Sequence, residues 1–276
     1  MELRYSILDP TGNITALVEG EVPVREQPAT AAGIMRRCPE VEQVGFLRPA
    51  SEAGVAAELR MAGGEFCGNA SMCAAALCLL NGWQEEKTPL RLSVSGTNQP
   101  VAVRLKREGE KSFRAELRMP PALGAEKRGF TFEGVSGVLP LVRLEGISHL
   151  IVEPASPFFS LLENREAAER AVRSFCDKLG AEGLGLLFLD RDGSERRMTP
   201  LVYIPGSGTM FWENSCASGS AAAGIWIAAR NGAPADLALR EPGGVLHVRS
   251  IPGGETWLCG GVQFLGEHTF TWGSTG

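Results

Sequence analysis

The feature that most constrains this chain is an internal repeat centred on two cysteines. Cys67-Gly68-Asn69-Ala70-Ser71-Met72-Cys73-Ala74-Ala75-Ala76 has a partial echo in Cys216-Ala217-Ser218-Gly219-Ser220-Ala221-Ala222-Ala223. A motif met twice along one chain points to one structural unit used twice. Each cysteine is followed by an Ala-rich apolar segment and then by an Asn-Gly pair, Asn81-Gly82 and Asn231-Gly232, a common helix stop. The spacing predicts, in each half, a helix of about four turns at 3.6 residues per turn. A cysteine stands in its first turn, and small residues pack the helix into a sheet.

The remaining sequence reads mainly as short strands punctuated by Gly and Pro, among them Leu90–Val94, Val101–Leu105, Ala115–Met119, Leu186–Leu189 and Trp257–Leu265. Two further stretches, Ala31–Arg37 and Glu166–Leu179, have helical periodicity. The expected class is therefore α+β, with two pseudo-equivalent lobes. A break between them fits the Pro-rich Met119-Pro120-Pro121-Ala122-Leu123-Gly124.

With 276 residues, 44% of them hydrophobic, the chain can bury a substantial core. A net charge of −5 and a pI near 5.4 leave no broad basic surface, so nucleic acid is not an expected partner. No apolar stretch approaches the roughly 18 residues of a membrane span, and the opening Met1-Glu2-Leu3-Arg4 lacks the layout of a secretory signal; a cytoplasmic location is expected. Seven cysteines without such a signal should mostly be reduced thiols. His149, His247 and His268 stand alone and no CxxC or HxxxH spacing occurs, so no metal site is expected.

A cysteine at a helix N-terminus meets unpaired backbone N–H groups and the positive end of the helix dipole, both of which favour thiolate. The same N–H groups form an anion site, so Gly68 and Asn69 in one half and Ala217 and Ser218 in the other are candidates to hold a carboxylate. Two such helix ends facing across a cleft would set a thiolate and a thiol on either side of an α-carbon. That arrangement suits racemisation: one sulfur removes the proton, the donors stabilise the developing charge, and the other sulfur reprotonates the opposite face. The residues alone also admit Cys67 and Cys216 as small core residues, since unpaired cysteine is often buried. For Cys73, Cys78, Cys176 and Cys259 that reading is taken, and Cys38 beside Pro39 offers nothing against it.

The motifs Gly64-Glu65-Phe66-Cys67-Gly68-Asn69-Ala70 and Cys216-Ala217-Ser218-Gly219-Ser220-Ala221-Ala222 resemble the two active-site motifs of the diaminopimelate epimerase-like superfamily. Thr11-Gly12-Asn13, Val41-Glu42-Gln43-Val44, Pro242-Gly243-Gly244 and Trp257-Leu258-Cys259-Gly260-Gly261-Val262 are similar to further segments of it. The resemblance implies two lobes, each a curled mixed sheet around a central helix, with the last strand returning to the first: residues 1–118 plus 265–276, and 119–264. It implies an amino-acid racemase or epimerase that uses no cofactor, pyridoxal phosphate included, and it admits a homodimer. Residue by residue, it makes Cys67 and Cys216 the proton-transfer pair and Gly68, Asn69, Ala217 and Ser218 the carboxylate cradle. Asn13, Gln43 and His149 become substrate-contacting positions.

The departures from the pattern bear on substrate. Where that superfamily grips the second amino-acid head of diaminopimelate, this chain has Met61, Gly185 and the uncharged Ile204-Pro205-Gly206-Ser207-Gly208. A distal charge without a partner is costly to desolvate, by roughly 1–3 kcal/mol or more. The expected substrate is a single-headed amino acid such as histidine, at a more apolar site lined by Met61, Tyr203, Phe211 and Trp212. A diaminopimelate epimerase with a remodelled pocket and a thiol redox protein are the rival readings.

Overall fold

The computed structural model describes residues 2–85, 89–193, 195–206 and 208–271, with Phe270 described by its backbone alone. Two units divide the chain, one running to Arg118 and resuming at Cys259, the other spanning Met119–Leu258.

The first unit contains β1 (Glu2–Asp9), β2 (Thr15–Glu19), α1 (Gln27–Arg37), β3 (Gln43–Pro49), β4 (Ala57–Met61), α2 (Gly68–Leu80), β5 (Leu90–Val94), β6 (Val101–Arg107) and β7 (Ser112–Arg118). These strands neighbour one another in chain order, and the strand Thr256–Thr271 pairs with both β7 and β1. The result is a closed eight-stranded barrel, which leaves no free edge. The pairs β2–β3 and β4–β5 are parallel, and each needs a crossover; α1 and α2 supply them. Composition separates the two helices. Every side chain of α2 from Gly68 to Cys78 is buried, none of them charged, and a helix apolar on all sides belongs inside a protein. It packs on β2, β4, β5, β6 and β7. The helix α1, with Arg36 and Arg37 exposed, lies on β3. It begins earlier than the expected Ala31, at Gln27, since Pro28 is tolerated in a first turn.

The second unit contains β8 (Gly124–Phe132), β9 (Val135–Leu144), β10 (Ile147–Val152), α3 (Arg165–Leu179), β11 (Leu184–Asp192), β12 (Glu195–Ile204), β13 (Thr209–Trp212), α4 (Ala217–Asn231), β14 (Ala235–Glu241) and β15 (Gly244–Ser250). From β9 onward the pairing is antiparallel β9–β10, parallel β10–β11, antiparallel β11–β12, parallel β12–β14 and antiparallel β14–β15. The first unit alternates in the same way from β1 to β6. The hairpin strands β8 and β13 are additions paired to β9 and β12.

The sheet of this unit has two covered faces. On one, α4 packs against β9, β10, β11, β14 and β15. On the other, α3 buries Ala168, Val172 and Phe175 against Phe130, Leu150, Leu186 and Leu201. Asn164 caps α3 by accepting a hydrogen bond from the Ala167 N–H at 3.1 Å. Among the described residues no helix is long and apolar enough to cross a membrane.

Candidate active site

In the first unit Cys67 is the N-cap of α2, its backbone extended at φ −130° and its Sγ accepting from the Ala70 N–H at 3.4 Å. The Ser71 hydroxyl donates to the Cys67 carbonyl at 2.7 Å and closes the cap. Asn13, in the β1–β2 turn, and Gln43, at the start of β3, converge on the same point. The Gln43 amide nitrogen donates to Asn13 Oδ1 at 2.5 Å and to Thr15 Oγ1 at 2.7 Å, which turns its Oε1 toward Cys67, 3.0 Å from Sγ. Asn69 Nδ2 also donates to Asn13 Oδ1, at 3.1 Å, while Asn13 Nδ2 donates to Glu42 Oε2 at 2.6 Å. An amide oxygen facing the sulfur accepts its S–H whenever Cys67 is protonated. Asn13, Gln43, Cys67 and Asn69, singled out from sequence, thus form one hydrogen-bonded cluster, with Gly68 as the first residue of the helix.

In the second unit Cys216 is the N-cap of α4 and is buried. Its backbone N–H donates to Glu241 Oε2 at 2.6 Å, and the Ser220 hydroxyl donates to Glu241 Oε1 at 2.5 Å. The Cys216 sulfur lies 3.7 Å from Ser218 Oγ, and Ser218 Oγ lies 3.0 Å from His149 Nε2. Ala217, Ser218 and His149 therefore gather at this helix end. The helix terminus favours thiolate at Cys216, but its buried surroundings oppose it. Burial, then the Glu213 and Glu241 carboxylates, push its pKa well above the ordinary thiol value, against the Ser218 hydrogen bond. Burial also lowers the His149 pKa to about 3, so its ring is neutral. Its Nδ1 is buried without a hydrogen-bond partner.

The residues expected to line an apolar substrate end are distributed differently. Met61 is 1% exposed, its sulfur turned toward Gly45. Tyr203 and Trp212 pack on the α3 face: Trp212 stacks on Phe188 and donates to Glu169 Oε1 at 3.0 Å, and the Arg173 guanidinium covers the Tyr203 ring. Period-two alternation along β12 and β13 sends these rings away from α4. Phe211 is exposed, and Ser207 lies outside the described residues. Gly185 is glycine for another reason than a lost ligand: it sits beside His149 in the parallel β10–β11 register, and a Cβ there would fall 2.2 Å from Nδ1.

Sequence reasoning missed Thr15, Glu42 and above all Glu241. The signal for Glu241 was present, since β14 alternates buried and exposed as Ala235, Leu237, Leu239, Glu241 on its inward side; an acid in an apolar register marks a buried carboxyl. Cys73, Cys78 and Cys176 are buried, whereas Cys259 is half-exposed, with Arg114 Nη1 3.8 Å from its sulfur. Among the described residues no group of three or more His, Cys, Asp or Glu is placed to hold a metal ion.

The family described as the histidine racemase CntK N-terminal domain matches residues 2–255. The chain belongs to this family. It is an isomerase of the racemase and epimerase class. A histidine racemase from Fusobacterium nucleatum subsp. nucleatum is 28% identical over 280 residues, 97% of each chain. One from Staphylococcus aureus is 27% identical over 255 residues, covering 90% of this chain and 88% of that one. A probable proline racemase from Agrobacterium radiobacter, solved with bound carbonate, superposes with a TM-score of 0.72 at 15% identity, covering 99% of this chain and 94% of that one. In the histidine racemase CntK family member described here, each half of the sequence repeat thus carries one N-cap cysteine with its own polar cluster.

Proposed function

We propose that this racemase interconverts the enantiomers of histidine, with Cys67 and Cys216 acting on opposite faces of the α-carbon. The observation that carries the substrate is the alignment with a histidine racemase across 97% of both chains. The shared alternation of strand pairings supports reading the two units as pseudo-symmetric lobes of a diaminopimelate epimerase-like fold.

In this reading the working form of the cysteine pair carries one proton. The sulfur without it takes the α-proton, and the electron pair left on carbon is delocalised into the carboxylate. That charge is stabilised by the first-turn amides of Gly68 and Asn69 and of Ala217 and Ser218. The protonated sulfur then delivers its proton to the other face, and the pair ends with roles exchanged. Asn13 and Gln43 hold Cys67 in place, while His149 bears on Cys216 through Ser218. No step needs pyridoxal phosphate or a metal. Lys106, Lys111, Lys127 and Lys178 are exposed, unlike the shielded lysine that a Schiff base requires.

The test follows optical activity and α-deuterium incorporation in heavy water with L-histidine, D-histidine and diaminopimelate, before and after dialysis against a chelator. Histidine should racemise with or without dialysis and diaminopimelate should turn over far more slowly. Cys67→Ala and Cys216→Ala, each folded by circular dichroism, should lose at least about 100-fold in racemisation, the scale of a lost general acid or base. Preferred turnover of diaminopimelate would sink the substrate assignment. Near-normal racemisation by either folded variant would sink the two-thiol mechanism.

A further inference from the structure

The mechanism above leaves one buried carboxyl unused. Glu241 is 3% exposed, at the end of β14 where the chain turns through Pro242 and Gly243 into β15. Both its oxygens are engaged by the first turn of α4, one by the Cys216 N–H at 2.6 Å and one by the Ser220 hydroxyl at 2.5 Å. An N-terminal helix turn leaves four N–H groups without intrahelical partners. A cap is ordinarily a side chain from the residue just before the turn, but the Cys216 side chain makes no capping hydrogen bond. Its counterpart Cys67 accepts from the Ala70 N–H with its own sulfur. In the second half the anchoring is supplied instead by a carboxyl from another strand, and the Cys216 sulfur lies against Ser218 Oγ rather than capping a backbone N–H.

We infer that Glu241 is a positioning residue for Cys216, clamping the first turn of α4 so that the sulfur and the Ala217 and Ser218 amides keep the geometry the substrate requires. The inference rests on the two-thiol reading. It explains why an acid occupies an inward position of an otherwise apolar strand face. By holding the Cys216 N–H, it also leaves the Ala217 and Ser218 N–H groups directed at a ligand carboxylate. Burial raises the Glu241 pKa to about 8, helped by the nearby Glu213 and opposed by the Ser220 and Cys216 hydrogen bonds. The clamp is therefore neutral near pH 7, where a carboxylic acid still accepts from Cys216 and pairs with Ser220. The titratable groups bearing on Cys216 are Glu213 from the preceding segment, Glu241 from β14 and, through Ser218, His149 from β10.

The test measures kcat and KM for L-histidine racemisation in Glu241→Gln, Glu241→Asp and Glu241→Leu, alongside Tm and the pH profile of Cys216 and Cys67 alkylation by iodoacetamide, read by peptide mass. Glutamine keeps both contacts, its oxygen accepting from Cys216 and its nitrogen donating to the Ser220 oxygen with the direction of that bond reversed, and should keep kcat/KM within about threefold at pH 7. In that variant Cys216 should alkylate at lower pH than in the native protein, with Cys67 unchanged, because no carboxylate forms beside it. Aspartate falls a methylene short and should lose about tenfold. Leucine removes the clamp and should lose about 100-fold, the scale of an angstrom's misplacement of a reacting group. Folded aspartate and leucine variants with native kcat/KM would overturn the inference, as would a folded glutamine variant as impaired as leucine. Should the leucine variant fail to fold, the aspartate variant decides alone. Cys216→Ala is run in parallel: if it racemises normally the two-thiol reading falls, whereas if it is inactive and the Glu241 variants are native, only the clamp falls.

Discussion

A single absent methyl group decides where His149 can stand. Its ring fills the space above Gly185, where an added Cβ would lie 2.2 Å from Nδ1 and 2.7 Å from Cε1. Because the ring is fully buried, it has no open solvent into which to swing. Gly185→Ala should therefore displace the imidazole, break its 3.0 Å contact with Ser218 Oγ and cost about 1–3 kcal/mol through overpacking. The expected result is a lowered Tm together with impaired racemisation, measured on one preparation. A variant with native Tm and native kcat would show that the ring has room to move. Sequence comparison flagged both Gly185 and His149, yet as unrelated positions; their steric dependence is a matter of strand register.

At the scale of elements, α2 and α4 depend on small side chains because strands crowd them from several directions. Ala221, Ala222 and Ala223 are wholly buried, as are Ala74, Ala75 and Ala76 in α2. Such a helix contributes little apolar area per residue; its stability comes from close contact with the strands around it. Ala222→Leu would insert three carbons at a wholly buried position and should destabilise by about 1–3 kcal/mol. Chemical denaturation checks this: a midpoint equal to that of the native protein would mean that α4 is less tightly enclosed than its burial indicates. The Ala-rich composition was legible as a helix packed into a sheet, and the Asn-Gly pairs marked its ends correctly: Gly232 takes the left-handed conformation at φ 61°.

For the whole molecule, stability against pH reflects two buried groups pulling in opposite directions. His149 is held neutral, its pKa lowered from 6.5 to about 3. Above pH 6.5 it imposes no penalty, and stability is lost as the pH falls from there toward 3, because the unfolded chain takes up a proton that the folded one refuses. Glu241 is displaced upward, from 4.5 to about 8. Its contribution is full below pH 4.5 and is lost as the pH rises toward 8, where the unfolded carboxyl has long since ionised. Glu241→Gln should accordingly gain stability relative to the native protein between pH 5 and 8, and His149→Gln should gain relative to it as the pH falls below 6.5. Tm measured across this range checks both slopes; curves parallel to the native one would show that neither group is held in the uncharged form.

The sequence by itself determined the repeated helix with its cysteine cap, the α+β class and most of the residues that cluster at each cap. Those properties are written in local spacing: a motif, a helix stop and a period of two or 3.6 can be read without knowing what lies opposite. Only the tertiary structure decided the proton affinity of Cys216, because a helix dipole favouring thiolate is a local effect, whereas the burial and the two carboxylates that oppose it come from folding. It also decided which way the aromatic residues of β12 and β13 face, sending Tyr203 and Trp212 to α3. Glu241 shows the boundary most clearly. Its inward register was visible in β14, but that its two oxygens meet the Cys216 N–H and the Ser220 hydroxyl depends on β14 pairing alongside β12 and packing against α4, contacts between segments that no local spacing encodes.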